Sequence, residues 1–255
     1  MLFQRLDTPK GYERRDIHSA TLIARPQVVE PLVRAMKTDL ELIEFAAKVP
    51  GARPLQGRQT AWGITLDGGA RIVVRRNHHG GAFRKFTGSM FLFPTRAPQE
   101  LALSLELEKL KIPTPPVMAI AIYREDFLAT SDVVTEEIAG GQDFGALLLA
   151  THPDSADRRA AWSAVQELLG QLAGSGVRHH DLNVKNILLR RGGDNAFDAY
   201  LLDVDRVKLN LDRGAADAGN RARLVRSLEK WRDTRGVQVS AAEIETLRRT
   251  ATSIR

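Results

Sequence analysis

The chain has 255 residues, 43% hydrophobic and 27% charged, with a formal net charge of +6, the make-up of an ordinary globular protein with enough length for one large domain or two lobes. It contains no cysteine, which excludes a disulfide framework, a thiolate metal site and a thiol nucleophile. The opening MLFQRLDTPKGYERRD lacks the apolar stretch of a secretory signal, and no run approaches the roughly 18 apolar residues of a membrane span, so the chain is expected neither to cross a membrane nor to leave the cell.

Residues 19–24 (SATLIA) predict a short strand, and PQVVEPLVRAMKTDLELIEFAAK has helical spacing at Val28, Leu32, Val33, Leu40, Ile43 and Ala47. PGARPLQGR is loop chemistry. QTAWGITL and RIVVRR, joined through Gly68 and Gly69, read as a hairpin. The loop NHHGGAFRKF then leads to a helix over PQELALSLELEKLK, closed by IPTPPV. VMAIAIY and FLATSDVVTEE are two further strands, and Gly140 and Gly141 form a natural hinge. Beyond it DFGALLLA and residues 156–173 are helical, the latter with one apolar stripe of Trp162, Val165, Leu168, Leu169 and Leu172. NILL and AYLLDVD are strands around the turn GGDNAFD. Helix returns in the tail, where Leu224, Val225, Leu228 and Trp231 share a face and Arg221, Arg223, Arg226 and Lys230 spread around it.

The net charge is concentrated. From Arg206 to Arg255 there are twelve Lys or Arg against six Asp or Glu, and 25 of each in the remainder. Such a segment is either a solvated helical face or a foothold on anionic lipid or phosphate. Basic and aromatic residues do not interleave as a stacking platform for bases requires, so no nucleic acid partner is expected.

The densest polar chemistry is GVRHHDLNVKNILLRR, residues 176–191, where two histidines, an aspartate and two asparagines precede an apolar run. Phosphoryl transfer needs a carboxylate to orient and deprotonate a hydroxyl, oxygen ligands for a divalent cation, and a fixed cation on the nucleotide phosphates. The spacing H-x-D-x-x-x-x-N, filled by His179, Asp181 and Asn186, sets a base and a metal ligand on one loop. Magnesium takes several oxygen ligands, and Asp203 in LLDVD offers a second carboxylate one hairpin later, with Asp205 in reserve. His78 and His79 are adjacent, point apart and lack a second cluster to complete a metal site, so they read as surface loop; His180 is expected to face solvent.

The loop HHDLNVKNILL and the following YLLDVDR resemble the protein-kinase-like fold, in particular the bacterial lipopolysaccharide kinase family. There the loop reads much like H-x-D-L-N-x-x-N-I-L-L, and the metal aspartate lies in a D-x-D or D-x-H segment. The loop GRQTAW, the strand IVVRR before Gly80 and Gly81, the helix RAPQELALSLELEKLKIPTPPV and the tail NRARLVRSLEKW extend the similarity over roughly residues 55–232. The resemblance implies an α+β, bilobal protein-kinase-like fold. Residues 1–140 would form a strand-rich N-terminal nucleotide lobe, in which residues 1–50 match less clearly, and residues 141–255 a mainly helical catalytic and substrate lobe.

The same resemblance implies that Asp181 is the catalytic base, that Asn186 and Asp203 hold magnesium, and that His179 orients the loop from behind. Arg75 stands where the family fold has the lysine of V-A-I-K, with Glu100 as its ion-pair partner, and a guanidinium fork can grip a phosphate and a carboxylate together. Arg76 is the other candidate, because strand alternation sends only one of the two toward a cleft. Gly57, Arg58 and Thr60 in GRQTAW would cover the phosphates, with a single glycine where a full kinase loop has three. The adenine is expected against the backbone near Glu136 and Ile138.

The implied activity is ATP- and magnesium-dependent phosphorylation of a sugar hydroxyl on a lipopolysaccharide inner-core precursor, 3-deoxy-D-manno-octulosonic acid (Kdo) on a Kdo-lipid A precursor. The partner would be an anionic glycolipid, met at the cytoplasmic face of the inner membrane of a Gram-negative bacterium with the basic tail in peripheral contact. Two alternatives stay open. One is the same chemistry on another acceptor, as in aminoglycoside-phosphotransferase-like or protein kinases. The other is a non-catalytic pseudokinase module, favoured by Arg75 and the sparse glycine loop and opposed by the retention of Asp181, Asn186 and Asp203.

Overall fold

A computed structural model describes residues 7–38, 41–55, 61–77, 91–92, 96–125 and 128–249. The chain divides into two compact units, residues 1–102 with 116–137 and residues 103–115 with 138–255.

The first unit is built on one antiparallel sheet of eight strands. They are β1 (Glu13–Ile17), β2 (Ala20–Ala24), β3 (Arg53–Pro54), β4 (Ala61–Thr65), β5 (Arg71–Arg76), β6 (Phe91–Leu92), β7 (Val117–Glu125) and β8 (Leu128–Glu136). The order is β1-β2-β7-β8-β5-β4-β3, with β6 also paired to β8. The middle of β7 is buried on both faces, which is why VMAIAIY is a continuous apolar run instead of alternating with polar residues. Two helices, α1 (Pro26–Thr38) and α2 (Leu42–Lys48), complete a core that joins Leu22, Val28, Leu32 and Leu42 to Ile72, Val74 and Val134.

The helical pattern expected over residues 26–48 is broken into these two helices, and the break has a tertiary cause. The N–H of Leu42 donates to Tyr123 Oη (2.7 Å) and that of Ile43 to Asp132 Oδ2 (3.0 Å). Sheet side chains thus satisfy the donors that a new helix start leaves open. Strand β1 was not anticipated from ERRDI; it pairs along its whole length with β2, Glu13 opposite Ala24 and Ile17 opposite Ala20.

The second unit takes in the latter part of α3 (Ala97–Lys109) and four more helices, α4 (Phe144–Ala150), α5 (Ala156–Gly174), α6 (Arg213–Arg235) and α7 (Ala241–Arg248). Strands β9 (Gln142–Asp143), β11 (Ile187–Arg191) and β12 (Phe197–Leu201) form a small sheet in the order β12-β11-β9, while β10 (Arg178–His179) pairs with β13 (Val207–Lys208). Residues 103–115 belong here because Leu107 and Ile112 enter its apolar core and Leu201 N–H donates to the Pro113 carbonyl at 2.8 Å. The helix starts are capped by side chains: Asp143 by accepting from Ala146 N–H, Ser155 from Arg158 N–H and Asp212 from Ala215 N–H. Ser240 and Glu243 make a reciprocal capping box on α7. Helices together with strands that all pair antiparallel among the described residues make the fold class α+β, as expected.

Candidate active site

The polar cluster is a loop held from several sides within the second unit. Gly176 turns the chain into it with φ +62, and a Cβ there would lie 2.4 Å from the Leu211 carbonyl oxygen, so only glycine fits. His179 is fully buried. Its Nδ1 accepts from the Asp181 N–H (3.1 Å), and its Nε2 lies 3.0 Å from the carbonyl oxygens of both Leu202 and Asp203. An imidazole that accepts at Nδ1 carries its proton on Nε2. Burial pushes the His179 pKa below the usual histidine value, against the upward pull of the Asp203 carboxylate. The neutral ring therefore ties the backbone of Asp181 to that of Asp203.

The Asp181 carbonyl oxygen accepts from the side-chain amides of Asn183 (2.8 Å) and Asn186 (2.9 Å). The bond commits the nitrogen of Asn186 and leaves its Oδ1 for other partners. The Asn186 backbone carbonyl accepts from Leu202 N–H at 2.9 Å, which brings the end of the loop beside Asp203. Asp203 stands at φ 60, ψ 49, in the left-handed region, and its carboxylate makes no capping bond to the short 3-10 turn Val204–Arg206. A non-glycine residue in that conformation costs of order 1 kcal/mol, and the His179 contact to its carbonyl helps to hold it there. Asn186 Oδ1 and the Asp203 carboxylate are hard oxygen donors on adjacent segments, a donor set that fits magnesium. Asp205 sits in the 3-10 turn with its carboxylate 3.7 Å from Arg206 Nε. The Asp181 carboxylate itself is paired through Oδ1 with Arg223 Nη2 of α6.

In the first unit, strand alternation separates Arg75 from Arg76 as expected. Arg75 pairs through Nη2 with Glu100 Oε1 and donates from Nη1 to Asn77 Oδ1 at 2.9 Å. Glu100 is 2% exposed, and its Oε2, like Asn77 Nδ2, is buried without a hydrogen-bond partner among the described residues. Arg76 instead donates to Asp132 Oδ1 and Glu41 Oε2, both at 2.6 Å. Burial pushes the Asp132 carboxyl above the usual aspartate range against the pull of Arg76, Ile43 N–H and the Tyr123 hydroxyl. Arg76 is thus held in a structural network with Asp132 and Glu41, whereas Arg75 lies beside Glu100 and Asn77, the two residues that carry those buried atoms.

Glu136 N–H donates to the Pro116 carbonyl (2.9 Å), and the Ile138 carbonyl accepts from Gly141 N–H (3.0 Å). Gly57, Arg58, Thr60, His78 and His79 lie outside the described residues. Sequence reasoning did not single out Asn77, Asn220, Arg223 or Ser227 as site residues. For the last three the available signal was their spacing on one face of α6.

The sequence model of the Lipopolysaccharide kinase (Kdo/WaaP) family matches residues 50–250. The chain is 31% identical over 222 residues to the 3-deoxy-D-manno-octulosonic acid kinase of Xanthomonas oryzae pv. oryzae (strain PXO99A), covering 85% of each chain. It is 32% identical over 190 residues to the enzyme of the same name from Xanthomonas campestris pv. campestris (strain B100), 72% of each. The 3-deoxy-D-manno-octulosonic acid kinase of Stenotrophomonas maltophilia (strain K279a) is 31% identical over 204 residues, 78% of each.

Proposed function

We propose that this chain, which belongs to the Lipopolysaccharide kinase (Kdo/WaaP) family, transfers the γ-phosphate of ATP to a hydroxyl of Kdo on a lipid A precursor. The chain is a phosphotransferase with an alcohol group as acceptor, of a nucleotide-using kinase family. The observation that carries the finer reading is the tie made by His179, which joins the Asp181 backbone to the segment bearing Asp203, with Asn186 bonded to the same Asp181 carbonyl.

In this reading Asp181 orients the acceptor hydroxyl and takes its proton. Asn186 Oδ1 and the Asp203 carboxylate would hold magnesium, which when bound neutralises charge on the nucleotide phosphates. Arg75, braced by Glu100 and Asn77, supplies a fixed cation for those phosphates, with the adenine set near Glu136 and Ile138. The strand-rich nucleotide lobe and the helical catalytic lobe of a kinase-like fold are assigned to the two units in that order. Among the described residues no helix is long and apolar enough to cross a membrane. In this reading contact with the inner membrane is assigned to exposed basic groups of the C-terminal region, acting on anionic headgroups.

Incubation of a defined Kdo-bearing lipid A precursor with ATP, magnesium and the protein is expected to add one phosphate, read by mass spectrometry. Asp181→Asn should lower turnover by at least about 10³-fold, as loss of the base in a positioned site does, while a nucleotide still raises the melting temperature. An unmodified precursor beside a phosphorylated small-molecule alcohol would replace the acceptor and keep the chemistry.

A further inference from the structure

We propose that Arg223 on α6 is a positioning residue for the carboxylate of Asp181, and that α6 is the template on which the catalytic loop is set. The inference rests on the reading of Asp181 as the base.

Three polar side chains of α6, Asn220, Arg223 and Ser227, stand at i, i+3 and i+7, so they share a face of the helix. Each grips the loop at a different point. Asn220 is fully buried; its Oδ1 accepts from His179 N–H and its Nδ2 donates to the Val177 carbonyl, both at 2.9 Å. Ser227 Oγ accepts from Val184 N–H at 3.2 Å. Between these two backbone clamps, Arg223 Nη2 meets Asp181 Oδ1. One turn beyond Ser227, Trp231 packs so closely on the second unit that a Cβ on Gly145 would lie 2.5 Å from its ring, and Val184 touches the same glycine. The helix is therefore seated by an aromatic anchor, and its polar face is aimed at residues 177–184.

The restraints on Asp181 divide in a way that gives Arg223 a distinct task. The backbone of Asp181 is fixed by His179, Asn183 and Asn186. Its carboxylate is held, among the described residues, by Arg223 alone, which takes Oδ1 and leaves Oδ2 for the acceptor hydroxyl. The pair is 34% and 40% exposed, and ion pairs of that exposure contribute little to stability, so its consequence is geometric. Arg223 Nε is buried without a hydrogen-bond partner among the described residues, so packing limits the swing of the guanidinium. A planar fork so packed dictates direction in a way that a flexible ammonium does not. Misplacing a reacting group by about 1 Å costs on the order of 10²-fold in rate, which sets the size of the expected effect.

The test is single-turnover and steady-state kinetics of the full chain on a Kdo-bearing lipid A precursor, comparing Arg223→Ala, Arg223→Lys, Arg223→Gln, Asp181→Asn and the Arg223→Ala/Asp181→Asn double variant. Arg223→Ala is expected to lower kcat by about 10- to 100-fold, with KM for nucleotide and acceptor within about threefold and the melting temperature little changed. Arg223→Lys should recover part of the loss. The double variant should be no slower than Asp181→Asn alone, because a residue acting through Asp181 has nothing left to position. Arg223→Gln and Arg223→Lys keep the aliphatic packing and carry the comparison if the alanine variant fails to fold.

Wild-type kcat in Arg223→Ala beside an inactive Asp181→Asn would overturn the inference and leave the base in place. So would multiplicative losses in the double variant, or a loss confined to acceptor KM. Near-normal activity of Asp181→Asn would overturn the reading of the base itself, and the positioning role with it.

Discussion

Arg75 and Arg76 are neighbours in the chain and opposite in environment. Arg76 is closed off by Asp132 and Glu41, partners 56 and 35 residues away. Arg75 meets Glu100 and Asn77 and is 18% exposed. Strand periodicity foretold that the two would part, but it could not say which would be captured by a structural network, because that depends on acids contributed by other elements. Truncating Arg75 strands a carboxylate that is 2% exposed. Removing one partner of a buried pair costs more than removing both, commonly about 3 kcal/mol. Arg75→Ala is therefore expected to lose stability on that scale in urea titration, and Arg75→Ala/Glu100→Gln to regain part of it. Arg75→Lys keeps the charge and loses the fork between Glu100 and Asn77, so it should fall between wild type and alanine. In the proposed role both Arg75 variants also reduce the melting shift given by ATP. A wild-type shift in Arg75→Ala would remove Arg75 from the nucleotide site.

The elements most legible in the sequence are those whose signal is local. Helix α5 announces itself by its apolar stripe, and β5 by RIVVRR bounded by loop residues. Elements set by distant partners were not visible. Four of the five residues of β1 are charged, so its pattern alone says little, and the start of α2 is fixed by Tyr123 and Asp132 of the sheet. Helix α6 lies between these cases. Its existence and apolar face, Leu224, Val225 and Leu228, were readable, whereas the task of its polar face depends on a loop some forty residues earlier. That task predicts a graded response. Asn220→Ala leaves the His179 N–H and the Val177 carbonyl buried and unpaired, at about 1–3 kcal/mol each, so a loss of about 2–6 kcal/mol is expected. Ser227→Ala frees only the Val184 N–H, bonded at 3.2 Å, and should lose about 1 kcal/mol. Urea titration gives the totals, and hydrogen exchange should localise the loosening to residues 177–186. Uniform exchange across the second unit would argue against α6 as the template of the loop.

At the scale of the whole molecule, the motif-bearing stretches and the packing-bearing stretches differ. Residues 1–50 carry little of the resemblance, yet Leu22, Ile23 and Leu32 are at most 1% exposed and β2 pairs with β7 over five residues, so they are part of the core of the first unit. A segment whose work is packing is conspicuous only as apolar periodicity. The charge excess shows the converse. The last fifty residues hold the entire surplus of basic groups, and several of their basic side chains are paired, four with acids of the same segment and one with Asp181 outside it: Arg221 with buried Asp217, Arg232 with Asp233, Arg248 with Glu229, Arg249 with Glu245, and Arg223 with Asp181. Arg226 and Lys230 are exposed on α6, at an i, i+4 spacing that puts them on one side of the helix. If the tail holds a lipid surface, these two side chains carry that contact, each with about 1 kcal/mol of attraction near an anionic leaflet. Arg226→Glu/Lys230→Glu should then weaken co-sedimentation with vesicles of phosphatidylcholine containing about 30% phosphatidylglycerol by at least about tenfold, since each reversal removes an attraction and adds a repulsion. Raising salt from roughly 0.05 to 0.3 M should weaken the wild type in the same sense, because the screening length shortens to less than half. Binding that survives both the reversals and the salt would place the membrane contact elsewhere on the protein and leave the exposed basic face of α6 as an ordinary solvated surface.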